Sequence, residues 1–253
     1  MSVDLDLTER TVLLTGATGG IGEAILRLLS RAGATVAVHY SSNGEKARDL
    51  AKEAGNGSAP FQADLAREEE AGALFGRVLE HYGKVDVLIN NAGVFIASPV
   101  NDPQRWVRDW HRTMAINLTA PAILCRNAIQ HFLDQNGGRI INISSRAAWR
   151  GDTPEHLDYA SSKGGMIALT KSIARGWGRE GVVAFNVAPG FVRTPMAEQV
   201  TQEKGEGHLL EELSLSRLTE PEDLAPTVLY LASGTMDHAT GSTIDVNGGS
   251  YVR

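Results

Sequence analysis

A glycine-rich turn close to the N-terminus constrains the fold of this chain more than any other feature. Residues 11–15 (TVLLT) predict a short buried strand, and the apolar residues within 21–29 recur with helical periodicity. Gly16, Gly20 and Gly22 lie between the two, in the spacing G-x-x-x-G-x-G. Glycines in such a turn let backbone amides approach a pyrophosphate, which sits at the positive end of the helix. The pattern indicates a dinucleotide-binding turn, and a tight connection without a ligand is the alternative interpretation.

The length and charge of the chain limit the classes of protein to which it belongs. Its 253 residues suit one α/β domain, and its net charge of −6 argues against binding to nucleic acid or to an anionic membrane. The single cysteine, Cys125, excludes an internal disulfide and predicts a reducing, cytoplasmic compartment. We expect no signal peptide, no membrane span and no metal site, because the sequence lacks the patterns that each requires.

Six further apolar segments predict the remaining strands. They span residues 35–39, 59–63, 85–89, 138–143, 182–187 and 242–246. Helices are predicted between them, including 67–82, a long segment from 102 to about 136 with a break near Asn117, and 221–233. Strands that alternate with helices in this way are typical of a parallel sheet in a single α/β domain.

Three local patterns add detail to this prediction. Gly164 and Gly165 lie inside a predicted helix, where each is unfavourable, so we expect the backbone to pack closely against another element there. Thr219 and Glu222 have the spacing of a capping box for the 221–233 helix. Residues 191–216 are polar and weakly periodic, which predicts a mobile lid.

Small and polar residues follow the predicted strands, at the edge where ligands bind in an open parallel sheet. They are Asp64 and Leu65, then Asn90, Asn91, Ala92 and Gly93, then Ser144 and Ser145, and finally Pro189 and Gly190. The second strand ends in His39-Tyr-Ser-Ser-Asn43, without the acidic residue that binds the ribose hydroxyls of NAD. This end is either a site that accepts the extra phosphate of NADP or an ordinary polar loop.

Tyr159 and Lys163 are four residues apart and therefore share one face of a predicted helix. A lysine ammonium beside a phenol favours the phenolate, so we expect Lys163 to lower the pKa of Tyr159. Tyr159 then becomes a plausible proton donor or acceptor for an oxygen that is reduced or oxidised. Taken alone, the pair is more often a half-buried tyrosine with a solvated lysine.

These motifs occur together in a recognisable order. They are TGATGGIG at 15–22, NNAG at 90–93, Asn117, Ser145, Tyr159, Lys163, Pro189-Gly190 and DVNGG at 245–249. In this order they resemble the short-chain dehydrogenase/reductase family over essentially the whole chain, and particularly its bacterial 3-oxoacyl-(acyl-carrier-protein) reductases. The resemblance implies a single-domain, Rossmann-like, doubly wound sheet of seven parallel strands with helices on both faces, usually assembled as a homotetramer.

The resemblance also implies a role for each motif residue. Tyr159 is the general acid or base, Lys163 assists it and binds the nicotinamide ribose, and Ser145 binds the substrate oxygen. Asn117 holds a water molecule in a proton relay to Lys163. The implied cofactor-binding residues are Gly16, Thr18, Gly19, Gly20, Ile21, Gly22, His39, Ser41, Ser42, Asp64, Leu65, Asn91, Ala92, Gly93, Pro189, Gly190, Val192 and Thr194, together with Tyr159 and Lys163.

The sequence thus predicts an NAD(P)(H)-dependent oxidoreductase acting on a small ketone or secondary alcohol. NADP(H) is favoured, because no acid stands at His39 and Ser41, Ser42 and Asn43 can hydrogen-bond a phosphate. Many NADP-using relatives carry an Arg or Lys where this chain has Gly19, which weakens this preference, so NAD(H) is possible. The alternatives are a 3-oxoacyl-(acyl-carrier-protein) reductase of fatty-acid synthesis and a non-catalytic dinucleotide sensor. Asn136 and Glu180 weaken the first alternative, because they stand where carrier-docking reductases have basic residues.

The substrate pocket is the least defined part of the prediction. Phe95, Trp149 and His156, with the lid, are expected to shape it.

Overall fold

The predicted strands form one parallel sheet. The computed structural model describes residues 5–195, 197 and 205–253. The strands are β1 (Thr11–Leu14), β2 (Thr35–Tyr40), β3 (Ala59–Gln62), β4 (Val87–Asn90), β5 (Gly138–Ile143), β6 (Val182–Pro189) and β7 (Thr243–Val246). Across the described residues these seven strands lie in the order β3-β2-β1-β4-β5-β6-β7, each parallel to its neighbours. The prediction of a seven-stranded parallel sheet is confirmed.

Helices cover both faces of this sheet. They are α1 (Gly20–Arg31), α2 (Gly44–Ala54), α3 (Glu68–Tyr82), α4 (Pro103–Met114), α5 (Ala120–Asp134), α6 (Ala147–Arg150), α7 (Leu157–Trp177), α8 (Glu206–Glu211) and α9 (Pro221–Ser233). Helices α1, α2 and α9 pack on one face, and α3, α5 and α7 pack on the other. The predicted doubly wound arrangement is therefore confirmed.

Alternate side chains along each strand supply the two cores. Val12 and Leu14 point into the core beneath α1, whereas Leu13 points into the core beneath α3 and α5. All three are fully buried, as expected for a parallel sheet covered on both faces. Within the described residues, none of the helices is both long enough and apolar enough to cross a membrane.

The predicted break near Asn117 and the predicted close packing at Gly165 occur together. Residues Ala115–Thr119 form a π-helical segment between α4 and α5, a deviation that is frequent at functional sites. Leu118 of this segment packs against α7, and a Cβ added at Gly165 would lie 2.7 Å from Leu118 Cδ2. At Gly164 a Cβ would meet Ala148 O only at 3.7 Å, so Gly165 is the residue that the packing requires.

Two local predictions need correction or restriction. The capping box of α9 joins Glu220 and Asp223, not Thr219 and Glu222, because the helix begins at Pro221 and its N-cap is the residue immediately before. In the predicted lid, residues 196 and 198–204 lie outside the described part. The remainder is not wholly irregular, since it contains α8.

Candidate active site

A cavity of about 730 Å³ opens where the strands end, on the carboxyl edge of the sheet. Every residue predicted to bind the cofactor lines it, as do Ser145, Tyr159 and Lys163. Asn117 is fully buried behind the wall. The cavity lies at the point where the strand order reverses, between β1 and β4, which is where doubly wound sheets bind their ligands.

The glycine-rich turn leaves the first amides of α1 accessible. Gly16 has a φ of +63°, and a Cβ there would lie 2.8 Å from Ala92 Cα. Gly19 precedes the helix in an extended conformation and has no side chain with which to cap it. At Gly20, a Cβ would meet Thr194 Cγ2 at 3.0 Å. The glycines therefore keep open a cradle at a helix N-terminus, which fits the pyrophosphate of a dinucleotide.

Thr15 and Asn91 hold this turn against the turn that follows β4. The Thr15 hydroxyl accepts hydrogen bonds from the main-chain N–H groups of Asn91 (2.9 Å) and Ala92 (3.0 Å). The Asn91 amide nitrogen donates to the carbonyl oxygens of Thr15 and Gly16, each at 3.0 Å. The two turns are thereby fixed as one rigid wall of the cavity.

The His39 ring makes hydrogen bonds within the protein. Although it borders the cavity, it is only 2% exposed, and both ring nitrogens are engaged. Nδ1 accepts from Gly16 N–H at 3.0 Å, so the neutral ring carries its proton on Nε2, which lies 3.1 Å from Ala63 O. Burial lowers the pKa of His39 to about 4, against a weaker raising effect of the Ala63 hydrogen bond. His39 thus joins β2 to the glycine turn, and its binding to the cofactor stays a prediction.

A cation that the sequence interpretation missed stands near this end of the cavity. Lys46 lies in the first turn of α2, after the N-cap Asn43, and lines the cavity. Its Nζ is 2.8 Å from Glu23 Oε2, and Arg27 Nη2 lies 2.9 Å from the other oxygen of Glu23. Ser41 and Ser42 line the same region. The end of β2 thus combines hydroxyl groups with an ammonium group that is already paired.

Tyr159, Ser145 and Lys163 meet where β5 ends and α7 begins. All three side chains line the cavity, and Lys163 Nζ lies 5.7 Å from the centre of the tyrosine ring. Lys163 Nζ donates to Ile143 O at 2.9 Å, which anchors the lysine to the last residue of β5. The three side chains therefore face one region of the cavity.

Burial, rather than Lys163, has the largest effect on the pKa of Tyr159. It raises the pKa of Tyr159 to about 12, with Ser145 acting in the opposite direction and Asp152 adding to the increase. Burial also lowers the pKa of Lys163 to about 8. The expectation that Lys163 lowers the pKa of Tyr159 is wrong for this structure, because both groups lose their hydration together. The Tyr159 hydroxyl therefore keeps its proton at neutral pH.

Asn117 positions the turn after β4. Its Oδ1 accepts from Val94 N–H at 2.8 Å, and its Nδ2 donates to Val94 O at 2.9 Å and lies 3.3 Å from Ser162 Oγ. A Cβ added at Gly93 would lie 3.3 Å from Asn117 Oδ1 and 3.5 Å from Lys163 Nζ. The π-helical segment, the turn and the catalytic candidates are therefore in contact.

The predicted pocket residues divide into two groups. Phe95 lines the cavity, stacks on His156 at 3.6 Å and meets the ring of Tyr159 edge-on at 4.8 Å. Trp149 instead packs under the C-terminal Arg253, whose guanidinium carbon lies 4.2 Å from its ring centre. Phe95 therefore lines the cavity and His156 lies behind it, whereas Trp149 is not among the lining residues; their contact with the substrate stays a prediction.

Charged residues that the sequence interpretation missed stand beside Ser145. Arg146 and Arg150 both line the cavity and both contact Glu212, which follows α8. Leu209 of α8 is 4% exposed and closes the same wall. Part of the predicted lid therefore covers the end of the cavity next to the catalytic candidates.

Comparison with known proteins identifies the fold family. A family model described as "Enoyl-(Acyl carrier protein) reductase" matches residues 16–251. The chain is 36% identical to 3beta-hydroxysteroid dehydrogenase 1 of Eggerthella lenta over 252 residues, covering 96% of this chain and 94% of that one. The chain belongs to the short-chain dehydrogenase/reductase family. It is also 37% identical to a 3-oxoacyl-(acyl-carrier-protein) reductase of Rickettsia conorii, over 248 residues, 97% of this chain and 98% of that protein.

A solved structure agrees with this assignment. The blue fluorescent protein from a metagenomic library, in complex with NADPH, superposes with a TM-score of 0.90 at 33% identity, covering 98% of this chain and 100% of that one. Like other short-chain dehydrogenases/reductases, the protein is an NAD(P)-dependent oxidoreductase acting on hydroxyl or ketone groups, as the sequence predicts.

Proposed function

We propose that Tyr159 is the general acid when a ketone is reduced and the general base when the alcohol is oxidised. The observation that supports this proposal is that Tyr159 and Ser145 both line the cavity that the glycine turn borders, close enough for Ser145 to lower the pKa of Tyr159. A carbonyl oxygen placed between these two hydroxyl groups receives a hydrogen bond from each. When bound, the nicotinamide supplies the hydride in reduction and accepts it in oxidation.

The protein's own residues then manage the proton and the charge. Because the pKa of Tyr159 is raised to about 12, its hydroxyl holds a proton for the substrate oxygen at neutral pH. Ser145 stabilises the negative charge that develops on that oxygen. Lys163 uses one of its three N–H donors on Ile143 O. Within the described part of the chain, its other two donors remain for a ribose hydroxyl. In this proposal Asn117 acts indirectly, because its side chain holds Val94 and Ser162.

The decisive experiment measures cofactor consumption with NADH and NADPH across a panel of ketones, and the reverse reaction with secondary alcohols. We expect turnover of at least one ketone. A correctly folded protein that binds the dinucleotide but turns over no ketone or alcohol in the panel would contradict the proposal.

We propose that NADP(H) is preferred over NAD(H), by a modest factor. In support, no acidic residue ends β2, Ser41 and Ser42 line the cavity, and Lys46 stands beside them. The preference is modest because Glu23 already pairs with Lys46 at 2.8 Å and its carboxylate repels a phosphate. A tenfold higher kcat/KM with NADH would refute this preference.

The relative from Rickettsia conorii favours a second candidate, reduction of acyl groups on a carrier protein. Two features of the chain oppose it. Asn136 and Glu180 precede β5 and β6, and the neighbouring Arg139 is held by Asp237 in two hydrogen bonds of 2.8 and 3.1 Å. Arg179 is exposed beside Glu180. We therefore propose a free small molecule as the substrate.

Assembly, domain organisation and location complete the proposal. We propose that the whole chain acts as one dinucleotide-binding domain with a lid in 191–216, that four copies form a homotetramer, and that the protein is cytoplasmic. Exposed apolar residues such as Val107 on α4, which is 47% exposed, support assembly. Light scattering coupled to size exclusion tests the tetramer, and a monomer at micromolar concentration contradicts it.

A further inference from the structure

Two guanidinium groups converge on one carboxylate in the wall of the catalytic cavity. Arg146 Nη2 donates to Glu212 Oε2 at 2.8 Å, and Arg150 Nη1 reaches the same oxygen at 3.4 Å. Arg146 directly follows Ser145, its side chain is 11% exposed, and its main-chain N–H donates to Pro189 O at 2.9 Å. Both arginines therefore belong to α6 and its N-cap in the cavity wall, whereas Glu212 comes from the predicted lid.

The two arginines retain hydrogen-bonding capacity. Each guanidinium has five N–H donors, and among the described residues Arg146 and Arg150 each use one of them, on the same oxygen. Asp152 lines the cavity nearby, so the two arginines and the two carboxylates form a charge-balanced group. Removing Glu212 from this group leaves a largely buried guanidinium without its carboxylate, which is costly.

We propose that this arginine pair is the binding site for a carboxylate group of the substrate, which takes the place of Glu212. The inference rests on the proposed function and names the substrate class as oxo acids and the corresponding hydroxy acids. The exchange replaces one carboxylate by another, so the buried charge remains paired. A neutral substrate that displaces Glu212 leaves Arg146 without a partner and is therefore disfavoured.

Helix α8 is not held in place by the contact between Arg146 and Glu212 alone. The start of α8 has a separate anchor, because Arg193 lies 2.6 Å from Glu206 and 2.9 Å from Glu220, the N-cap of α9. Leu209 is also buried in the cavity wall. The helix therefore has other contacts that hold it when Glu212 moves aside.

The test compares oxo acids with their primary amides, in a series with one to six methylene groups between the ketone and the carboxyl group. The measured quantity is the ratio of kcat/KM for acid to that for amide, at saturating cofactor. We expect a ratio of about ten or more for at least one length, the size of one charge-assisted hydrogen bond. We expect Arg150→Gln to lower this ratio several-fold, by raising the KM of the acid more than that of the amide.

Two further variants distinguish a substrate-binding site from a latch, meaning a contact that only holds α8 in place. Glu212→Gln removes the internal competitor, so we expect the acid to be used better and the ratio of kcat/KM for acid to that for amide to rise. A latch predicts that both substrates are used worse. Arg193→Gln disturbs the other anchor of α8 and serves as the matched control, with an unchanged acid-to-amide ratio.

A binding measurement keeps the inference testable when turnover is slow. Saturated, non-reducible acids and amides are titrated by calorimetry into the cofactor complex of the unmodified protein and of Arg150→Gln. Tighter binding of an acid that is lost in the variant supports the inference. Equal affinity for acids and amides at every length, or a Glu212→Gln variant impaired with both, overturns it. Turnover of ketones without an acid preference refutes this inference alone and leaves the proposed function standing.

Discussion

His39 gives the protein a specific sensitivity to acid. In the folded state its Nδ1 accepts the Gly16 N–H, so protonation of Nδ1 places two donors against each other. Its pKa falls from 6.5 to about 4, a difference worth about 3 kcal/mol at roughly 1.4 kcal/mol per pH unit. The unfolded chain binds the proton below pH 6.5, so this part of the stability is present above about pH 7 and is lost as the pH falls toward 4.

The substitution His39→Asn isolates this contribution. An asparagine offers an acceptor and a donor but does not titrate, so only a pH-independent cost remains. Between pH 7.5 and 5, the free energy of unfolding of the unmodified protein should fall by about 2 kcal/mol more than that of the variant.

Urea unfolding monitored by circular dichroism at the two pH values measures this difference. His111→Asn, at an exposed position on α4, is the control for the loss of a histidine elsewhere in the chain. Parallel pH dependence of the unmodified protein and His39→Asn would show that the ring is not held in its neutral form.

Three further predictions concern catalysis and recognition. Lys163→Met should lower kcat/KM for ketone reduction. It should also remove the decline of kcat/KM above pH 8, where the lysine loses its proton. An unchanged alkaline limb in the pH profile contradicts this role. Lys46→Gln should lower kcat/KM for NADPH and leave kcat/KM for NADH unaffected. Lys52→Gln, at an exposed position on the same helix, is the control, and equal losses with both cofactors refute the role of Lys46. One β-ketoacyl group should be reduced about as efficiently on a short thiol as on acyl carrier protein, and a large, salt-sensitive advantage for the carrier form contradicts this expectation.

The fold was predictable because its signals are local. The apolar segments and the glycine turn at Gly16 determine where strands and helices alternate, and parallel strands then bring their carboxyl ends together. This geometry places Ser145 and Tyr159 at one edge, although more than ten residues separate them in the sequence.

The missed features depend on partners that are distant in the sequence. His39 and Tyr40 point to opposite faces of β2, and only the packing shows which of them is buried. The pKa of Tyr159 follows from the burial of its surroundings, which the spacing to Lys163 does not reveal. Arg146 and Glu212 are 66 residues apart in sequence, and only the folded chain brings them into contact.

The assignment of Tyr159 as the acid is tested most directly by Tyr159→Phe. The substitution keeps the ring and its edge contact with Phe95 at 4.8 Å and removes only the hydroxyl. We expect kcat for ketone reduction to fall by at least about a hundredfold, the lower end for general acid catalysis, while the dissociation constant of the dinucleotide changes less than about twofold. A variant that retains more than about a tenth of the original kcat would contradict the account.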